Sequence, residues 1–472
     1  MTAISSGRVP PIITCVDSFR PLLLSLFGSC VSVHRLVRRT NPGAGKKSVM
    51  PVNITPEMFD FSGVLRPGDS IFRSEGCGEP LTLTELLVQQ HKKVRNVTLY
   101  VGATFSDALQ PMHSDHVNII GFGAFGATKR LAKQHFNIIP AHISQVARYI
   151  SQGVLPCDVA LVQVSPPLED GTYSPGLMND YVATIIAKAR VVIAEVNDQI
   201  PQTRCDATIS PDDVDFLVHT SRTPATYEAA AATERDRQIA RNVAAYIDDG
   251  TTLQIGMGSL PNAIGEMLAD RRDLGVHSGA VGDWLVGLTE RGAITNARKS
   301  IDPGVSVTGA LFGTPRLFKF AHQNKSLSLR STNYTHGEAI LANLERLVTI
   351  NSALEIDLTG QVNAEQIGDS YLGGVGGQAD FVKAGHRSIG GRSIIALGST
   401  TEKGVSRIHC QLSTPVVTSL RSDADVVVTE YGAAELRGQT MVERARRLIA
   451  IADPRFREQL NREAYGLMSR GF

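Results

Sequence analysis

VALVQVSPP, residues 159–167, sets five apolar residues around a single polar one, Gln163, before Ser165, Pro166 and Pro167 end the run. A nearly continuous apolar stretch of this length suits a strand buried on both faces of a parallel sheet. The same signal recurs in VRNVTLYVG (94–102), VNIIGF (117–122) and ARVVIAEV (189–196). Helical patterns such as TLTELLVQQHKK (82–93) lie between these runs and supply crossovers. The fold class is therefore α/β with largely parallel sheets.

Further along, TPATYEAAAATERDRQIARNVAAYIDDG (223–250) breaks the alternation. It reads as an Ala-rich helix with Ile239, Val243 and Ile247 on one face. The strand pattern then resumes in TLQIG (252–256), LVTINSALEIDL (347–358), RSIIALG (392–398) and ADVVVTEYG (424–432). A chain of 472 residues exceeds one ordinary core. The expectation is two α/β domains of similar size, 50–225 and 226–472, related by internal duplication. Residues 1–49 form an extension outside the fold. They hold seven Arg and Lys against one acid, Asp17, around the apolar run LLLSLF (22–27). Transit peptide, signal peptide and early start are the three readings, and the prolines at 10, 11 and 21 favour the third.

A net charge of +1 gives no global pull toward nucleic acid or an anionic membrane, so an anionic ligand needs a local site. The six cysteines show no paired spacing, which argues against a disulfide framework or a zinc site and fits a reducing, cytoplasmic compartment. No apolar run approaches the ~20 residues that span a bilayer.

Two glycine-rich loops are candidates for ligand binding. In GQVNAEQIGDSYLGGVGGQADF (360–381), Gly373, Gly374, Gly376 and Gly377 follow a strand read as half-buried, with Leu354, Ile356 and Leu358 alternating with Glu355 and Asp357. Bare backbone there lets a ligand approach amides closely. In QIGMGSLPNAIGEML (254–268), Gly256 and Gly258 lead into a helix opened by Pro261, a possible anion site at a helix start. Strand ends add Gln163, Ser165, Glu195, Asn197, Pro201 and, as a plausible site carboxylate, Glu430. No GxSxG elbow and no HExxH metal pair is present.

Taken in order, SEGCGEPLTL, DVALVQVSPP, AEVNDQIPQT, TLQIGMGSLPNAI, LGVHSGAVGD, GQVN, GGVGGQADF, VSRI, VVVTEYGAAELRG and ERARRLIAIADPRFR resemble the acetyl-CoA hydrolase/transferase family, the class I CoA-transferases. The 4-hydroxybutyrate and butyrate enzymes are the subgroup it looks most like. The resemblance implies two tandem NagB/ribose-5-phosphate-isomerase-like domains, an active site between them and a homodimer in the cytoplasm, or in the mitochondrion if residues 1–49 are a transit peptide. Acyl-CoA and a small carboxylic acid would be the substrates, with no metal or added cofactor. The reaction it implies is ping-pong: a glutamate attacks the thioester to form an acyl anhydride, then carries CoA as an enzyme thioester. Gln254, Ile255, Gly256, Met257 and Gly258 would line the CoA site. Gly373, Gly374, Gly376 and Gly377 would present amides to the thioester oxyanion.

At one position the chain departs from the family. Its nucleophilic glutamate lies in a segment G-[IV]-H-[ST]-E, and here the segment is Gly275-Val276-His277-Ser278-Gly279. Trp284, the only tryptophan, stands nearby where relatives usually carry glycine. Glycine can form neither covalent intermediate. Three explanations are open at this level: a glutamate-to-glycine change, a CoA-ester-binding paralogue without transfer, or another carboxylate or water in the nucleophile's place, with Asp283, Glu290 and Glu430 as candidates.

Overall fold

The computed structural model describes residues 50–131 and 136–468; the readings made for 1–49 lie outside the described residues. Two eight-stranded sheets dominate. From edge to edge the first runs Val52–Ile54, Phe216–Thr220, Val191–Asn197, Val159–Val164, Ser70–Arg73, Val97–Val101, Val117–Gly121 and Asn137–Ile138. Every pairing in it is parallel. The second runs Leu327–Leu329, Ser306–Leu311, Gly275–Val281, Thr252–Ile255, Leu347–Asn351, Arg392–Ala396, Val426–Thr429 and Gly432–Glu435. Only its last pairing is antiparallel.

The apolar runs behave as parallel-sheet physics requires. All residues of Val159–Val164 and Val191–Asn197 are buried. Phe72, Ala160, Val162, Val164, Ala194 and Val196 enter one core, while Ile71, Val159, Leu161, Val191 and Ile193 enter the core on the opposite face. This is period-two alternation with apolar residues on both sides.

Connectivity makes the duplication visible. Leave out the edge strands Val52–Ile54 and Gly432–Glu435. Each half then has seven strands whose chain order across the sheet is 4-3-2-1-5-6-7. In each half the first of these is a four-residue strand, Ser70–Arg73 or Thr252–Ile255, followed by a loop and a nine-residue helix, Leu81–Gln89 or Ser259–Met267. The register agrees as well: Ser70 pairs with Thr98 and Thr252 with Gly275. Superposing the two short strands therefore makes Gly102 the counterpart of Gly279.

Three local expectations need correction. The Ala-rich stretch before Thr233 is not helical. The helix is Glu234–Ala244, started by a capping box in which Thr233 Oγ1 accepts from the Asp236 N–H and Asp236 accepts from the Thr233 N–H. Upstream, Tyr227 donates its N–H to Gly313 O and packs on Phe105 across the two halves, so tertiary contacts override alanine propensity. Glu355–Asp357 is a fully buried strand of a separate three-stranded sheet, with Glu355 held by Asn363 and Ser413. A short hairpin, Gln366–Ile367 with Ser370–Tyr371, separates it from the glycine loop. Finally, the helix after Gly258 begins at Ser259, which puts Pro261 third in its first turn. No helix among the described residues is long and apolar enough to cross a membrane.

Candidate active site

A cavity of about 220 Å³ lies between the two halves. Glu75, Gly102, Ala103, Phe122, Phe125 and Asp180 form its wall on the first half; Gln254, Gly256, Met257, Gly279, His336, Gly376 and Gly377 are among those on the second.

Gly279 sits inside the strand Gly275–Val281, with its missing side chain directed at an imidazole. A Cβ there would fall 2.6 Å from both Cε1 and Nε2 of His336. The ring is also pressed on Gly377, where a Cβ would lie 2.4 Å from Nε2. Its Nδ1 meets Thr335 Oγ1 at 2.8 Å and its ring packs, tilted by 57°, on Phe381 with ring centroids 4.8 Å apart. Burial, reinforced by nearby His277, pushes His336 down to about 3, so the ring is neutral across the physiological range. The strand itself is fixed from behind. Lys299 Nζ donates to Val276 O and Val305 O, and burial lowers this amine to about 8.

Of the residues expected at the CoA loop, Gln254, Gly256 and Met257 line the cavity. Gln254 Oε1 accepts from Asn351 Nδ2 at 3.1 Å, and Gly256 O accepts from Trp284 Nε1 at 2.9 Å. Trp284 thus braces the loop from beneath. Ile255 points the other way, fully buried in the core. Gly258 has φ +128° and ends the loop at the helix start, outside the cavity lining. Only a residue without Cβ takes that conformation without strain.

The second loop divides. Gly376 and Gly377 line the cavity, and Gly377 caps the helix Gln378–Arg387 with no side chain on its first-turn amides. Those amides point a helix N-terminus at the cavity. Gly373 and Gly374 lie behind it. The Gly373 N–H donates to Glu365 O and its carbonyl accepts from the Ala124 N–H, while Gly374 abuts Phe122 and Phe125. Their lack of a side chain serves packing between the halves.

None of the carboxylates singled out in sequence reaches the cavity. Asp283 accepts from the N–H and Oγ1 of Thr314. Glu290 pairs with Arg316 on the surface, and Glu430 accepts from the Ser399 N–H and hydroxyl beside Arg235. The strand-end polar groups are likewise internal fittings. Glu195 accepts from the Leu83 N–H at 3.1 Å, and Asn197 links Gln163 to Arg222. The strand-end residues Ser165 and Pro201 are also outside the lining, Ser165 Oγ donating to the Pro166 carbonyl.

The carboxylates that do line the cavity are Glu75 and Asp180, which sequence reasoning passed over. The signal available was SEG at 74–76, a carboxylate after a buried strand at the first half's counterpart of the 256–258 loop. Burial, opposed by the Ala103 N–H, the Arg73 guanidinium and Tyr181, pushes Glu75 from 4.5 up to about 7. Burial and the neighbouring Glu75 charge lift Asp180 well above the ordinary carboxylate range.

A duplicated α/β unit thus holds, between its halves, a cavity faced by two glycine loops. The chain belongs to the acetyl-CoA hydrolase/transferase family: the family's N-terminal domain matches residues 57–226 and its C-terminal domain residues 313–464. It is 36% identical over 399 residues to the 4-hydroxybutyrate coenzyme A transferase of Clostridium kluyveri, covering 83% of this chain and 92% of that one. A weaker relative is the acetyl-CoA hydrolase of Yarrowia lipolytica, 31% identical over 216 residues, 44% of this chain and 39% of that one. Among solved structures, RipA from Yersinia pestis superposes with a TM-score of 0.83 at 30% identity, over 88% of this chain and 97% of its own.

Two outcomes follow from the packing. Gly279→Ala is expected to lower stability by roughly 1–3 kcal/mol through overpacking on His336, and His336→Ala is expected to remove most of that cost. Urea denaturation of the four proteins in the cycle measures the coupling; strictly additive effects would contradict the contact. Separately, the Glu75 carboxyl holds its proton more tightly folded than unfolded. Its contribution is therefore complete below pH 4.5 and is lost as pH rises to about 7. Glu75→Gln should flatten the fall in melting temperature across that interval, and an unchanged slope would disprove the assignment.

Proposed function

We propose that this protein binds a short-chain acyl-CoA with its thioester carbonyl in the cavity beside Gly279, and that it cleaves the thioester with water as the acyl acceptor. The acyl groups are acetyl, butyryl or 4-hydroxybutyryl, the classes named for its CoA-transferase and hydrolase relatives. The Gln254–Gly258 loop and the Gly376–Gly377 helix start would face the ligand, supplying backbone amides where oxyanion charge develops. The working form is a cytoplasmic homodimer.

One observation carries the choice of water over a second carboxylic acid. CoA transfer by the glutamyl route requires a carboxylate on residue 279, first as an acyl anhydride and then as the CoA thioester. Residue 279 is glycine, and the His336 ring occupies the space a side chain there would need. Displacing a catalytic group by ~1 Å can cost on the order of a hundredfold in rate, so a carboxylate approaching from elsewhere does not reproduce that chemistry.

The test incubates acetyl-CoA or butyryl-CoA with the protein, with and without acetate, butyrate or 4-hydroxybutyrate. Free CoA is expected at the same rate in both cases, with little acceptor-CoA formed. Gly279→Glu alone is expected to add no transfer, whereas Gly279→Glu with His336→Ala is expected to raise it. Strong transfer by the unaltered protein would overturn the reading.

A further inference from the structure

Glu75 and Asp180 share a feature that packing does not require: each carboxyl stands where the Cβ of a neighbouring glycine would be. A Cβ on Gly102 would fall 1.1 Å from Glu75 Oε2. On Gly309 it would fall 2.1 Å from Asp180 Oδ1, and the same point is 2.9 Å from the carbonyl oxygen of Gly279. The two carboxyls take the space beside Gly102, just past one strand, and Gly309, inside another, and both line the cavity that Gly279 also lines.

Neither group is neutralised by a partner of its own. Asp180 is only 7% exposed and its Oδ1 accepts no hydrogen bond. Arg73 faces Glu75, yet its guanidinium is bound to Glu79 Oε1 at 2.9 Å and to Thr104 Oγ1 at 2.6 Å. Tyr181, the remaining ionisable group beside Glu75, is neutral until well above pH 10. His336 on the opposite wall is also uncharged. An unpartnered buried carboxyl oxygen such as Asp180 Oδ1 is costly to leave charged, and the neighbouring Glu75 charge favours keeping the Asp180 carboxyl protonated.

The duplication shows where the pair comes from. Glu75 lies in the loop after the first half's four-residue strand, the counterpart of Gly256–Gly258. Asp180 lies just before the helix Val182–Lys188, which precedes the first half's sixth strand as Gln378–Arg387 precedes the second's. It is therefore the counterpart of the Gly376–Gly377 turn. Where the second half presents bare amides, the first half presents acids.

We propose that Glu75 and Asp180 are the acid–base pair of a water-directed acyl-CoA thioesterase, supplying in this chain the carboxyl chemistry that residue 279 lacks. The inference rests on the cavity being the acyl-CoA site. The ionised member, Glu75, takes a proton from water as the water oxygen bonds to the thioester carbonyl carbon. The tetrahedral adduct then collapses with cleavage of the C–S bond, and the protonated member, Asp180, gives its proton to the departing sulfur. The products are the free carboxylic acid and CoA thiol, and proton exchange within the pair and with solvent restores the starting state. No protein carboxyl becomes acylated. Elevation of Glu75 to about 7 places it where a general base is most effective at neutral pH.

Isosteric variants test this. Glu75→Gln is expected to lower CoA release from butyryl-CoA by about a hundredfold or more, with binding of a non-hydrolysable butyryl-CoA thioether unchanged by calorimetry. In the unaltered protein the rate should rise with pH through an inflection near 7; Asp180→Asn should lose rate while keeping that rising limb. Single turnover in ¹⁸O water should label only the released acid. Thioether binding with undiminished hydrolysis in both variants, or ¹⁸O in a protein carboxyl, would overturn the pair while leaving the site in place. Absence of thioether binding by the unaltered protein would overturn the site itself, and the pair's role with it.

Discussion

The arrangement of this molecule depends on two missing side chains. Gly102, one residue past the strand Val97–Val101, and Gly279, inside the strand Gly275–Val281, are counterparts by register in the duplicated sheet, and both face the cavity between the halves. At each, a foreign group stands where Cβ would be: the Glu75 carboxyl on Gly102 and the His336 imidazole on Gly279. A single methyl at either glycine would force apart groups fixed by several other contacts, because protein interiors do not yield by an ångström without cost. The wall of the cavity at both places is set by this close approach.

The same pattern supports the proposed hydrolysis in a member of a family that includes CoA-transferases. Covalent transfer needs a nucleophile in line with the thioester, whereas hydrolysis needs only a positioned water and a base. With glycine at 279 and two carboxyls of unequal environment lining the cavity, the proposed hydrolysis asks only for the second set of groups. The glycine turn at 376–377 and the helix it starts can serve either chemistry, since oxyanion stabilisation is common to both.

Much of this was legible in the sequence, and the remainder was hidden for definite reasons. Continuous apolar runs such as Val159–Val164 announced parallel strands because burial on both faces removes the need for alternation. The two glycine loops and the departure at Gly279 were visible as residue types in order. Their division of labour was not: Gly373 and Gly376 read alike, although the N–H of one is bound to Glu365 while the other opens on the cavity. Asp283 and Glu430 looked like available carboxylates because hydrogen bonds from Thr314 and Ser399 cannot be read from spacing. Conversely, Glu75 and Asp180 are 105 residues apart in sequence and meet only through the packing of two loops. The His336 ring on Gly279 is equally non-local.

On the proposed mechanism the reacting thioester lies between Gly279 and the Glu75–Asp180 pair. A crystal structure of the protein with a short-chain acyl-CoA thioether tests it most directly. The account predicts the acyl carbonyl in the 220 Å³ cavity, within hydrogen-bond reach of Glu75 or Asp180, with the pantetheine leaving past Gly256 and Met257. An acyl group seated instead in the separate groove bounded by His142, Arg148, Lys383 and Arg387 would contradict it.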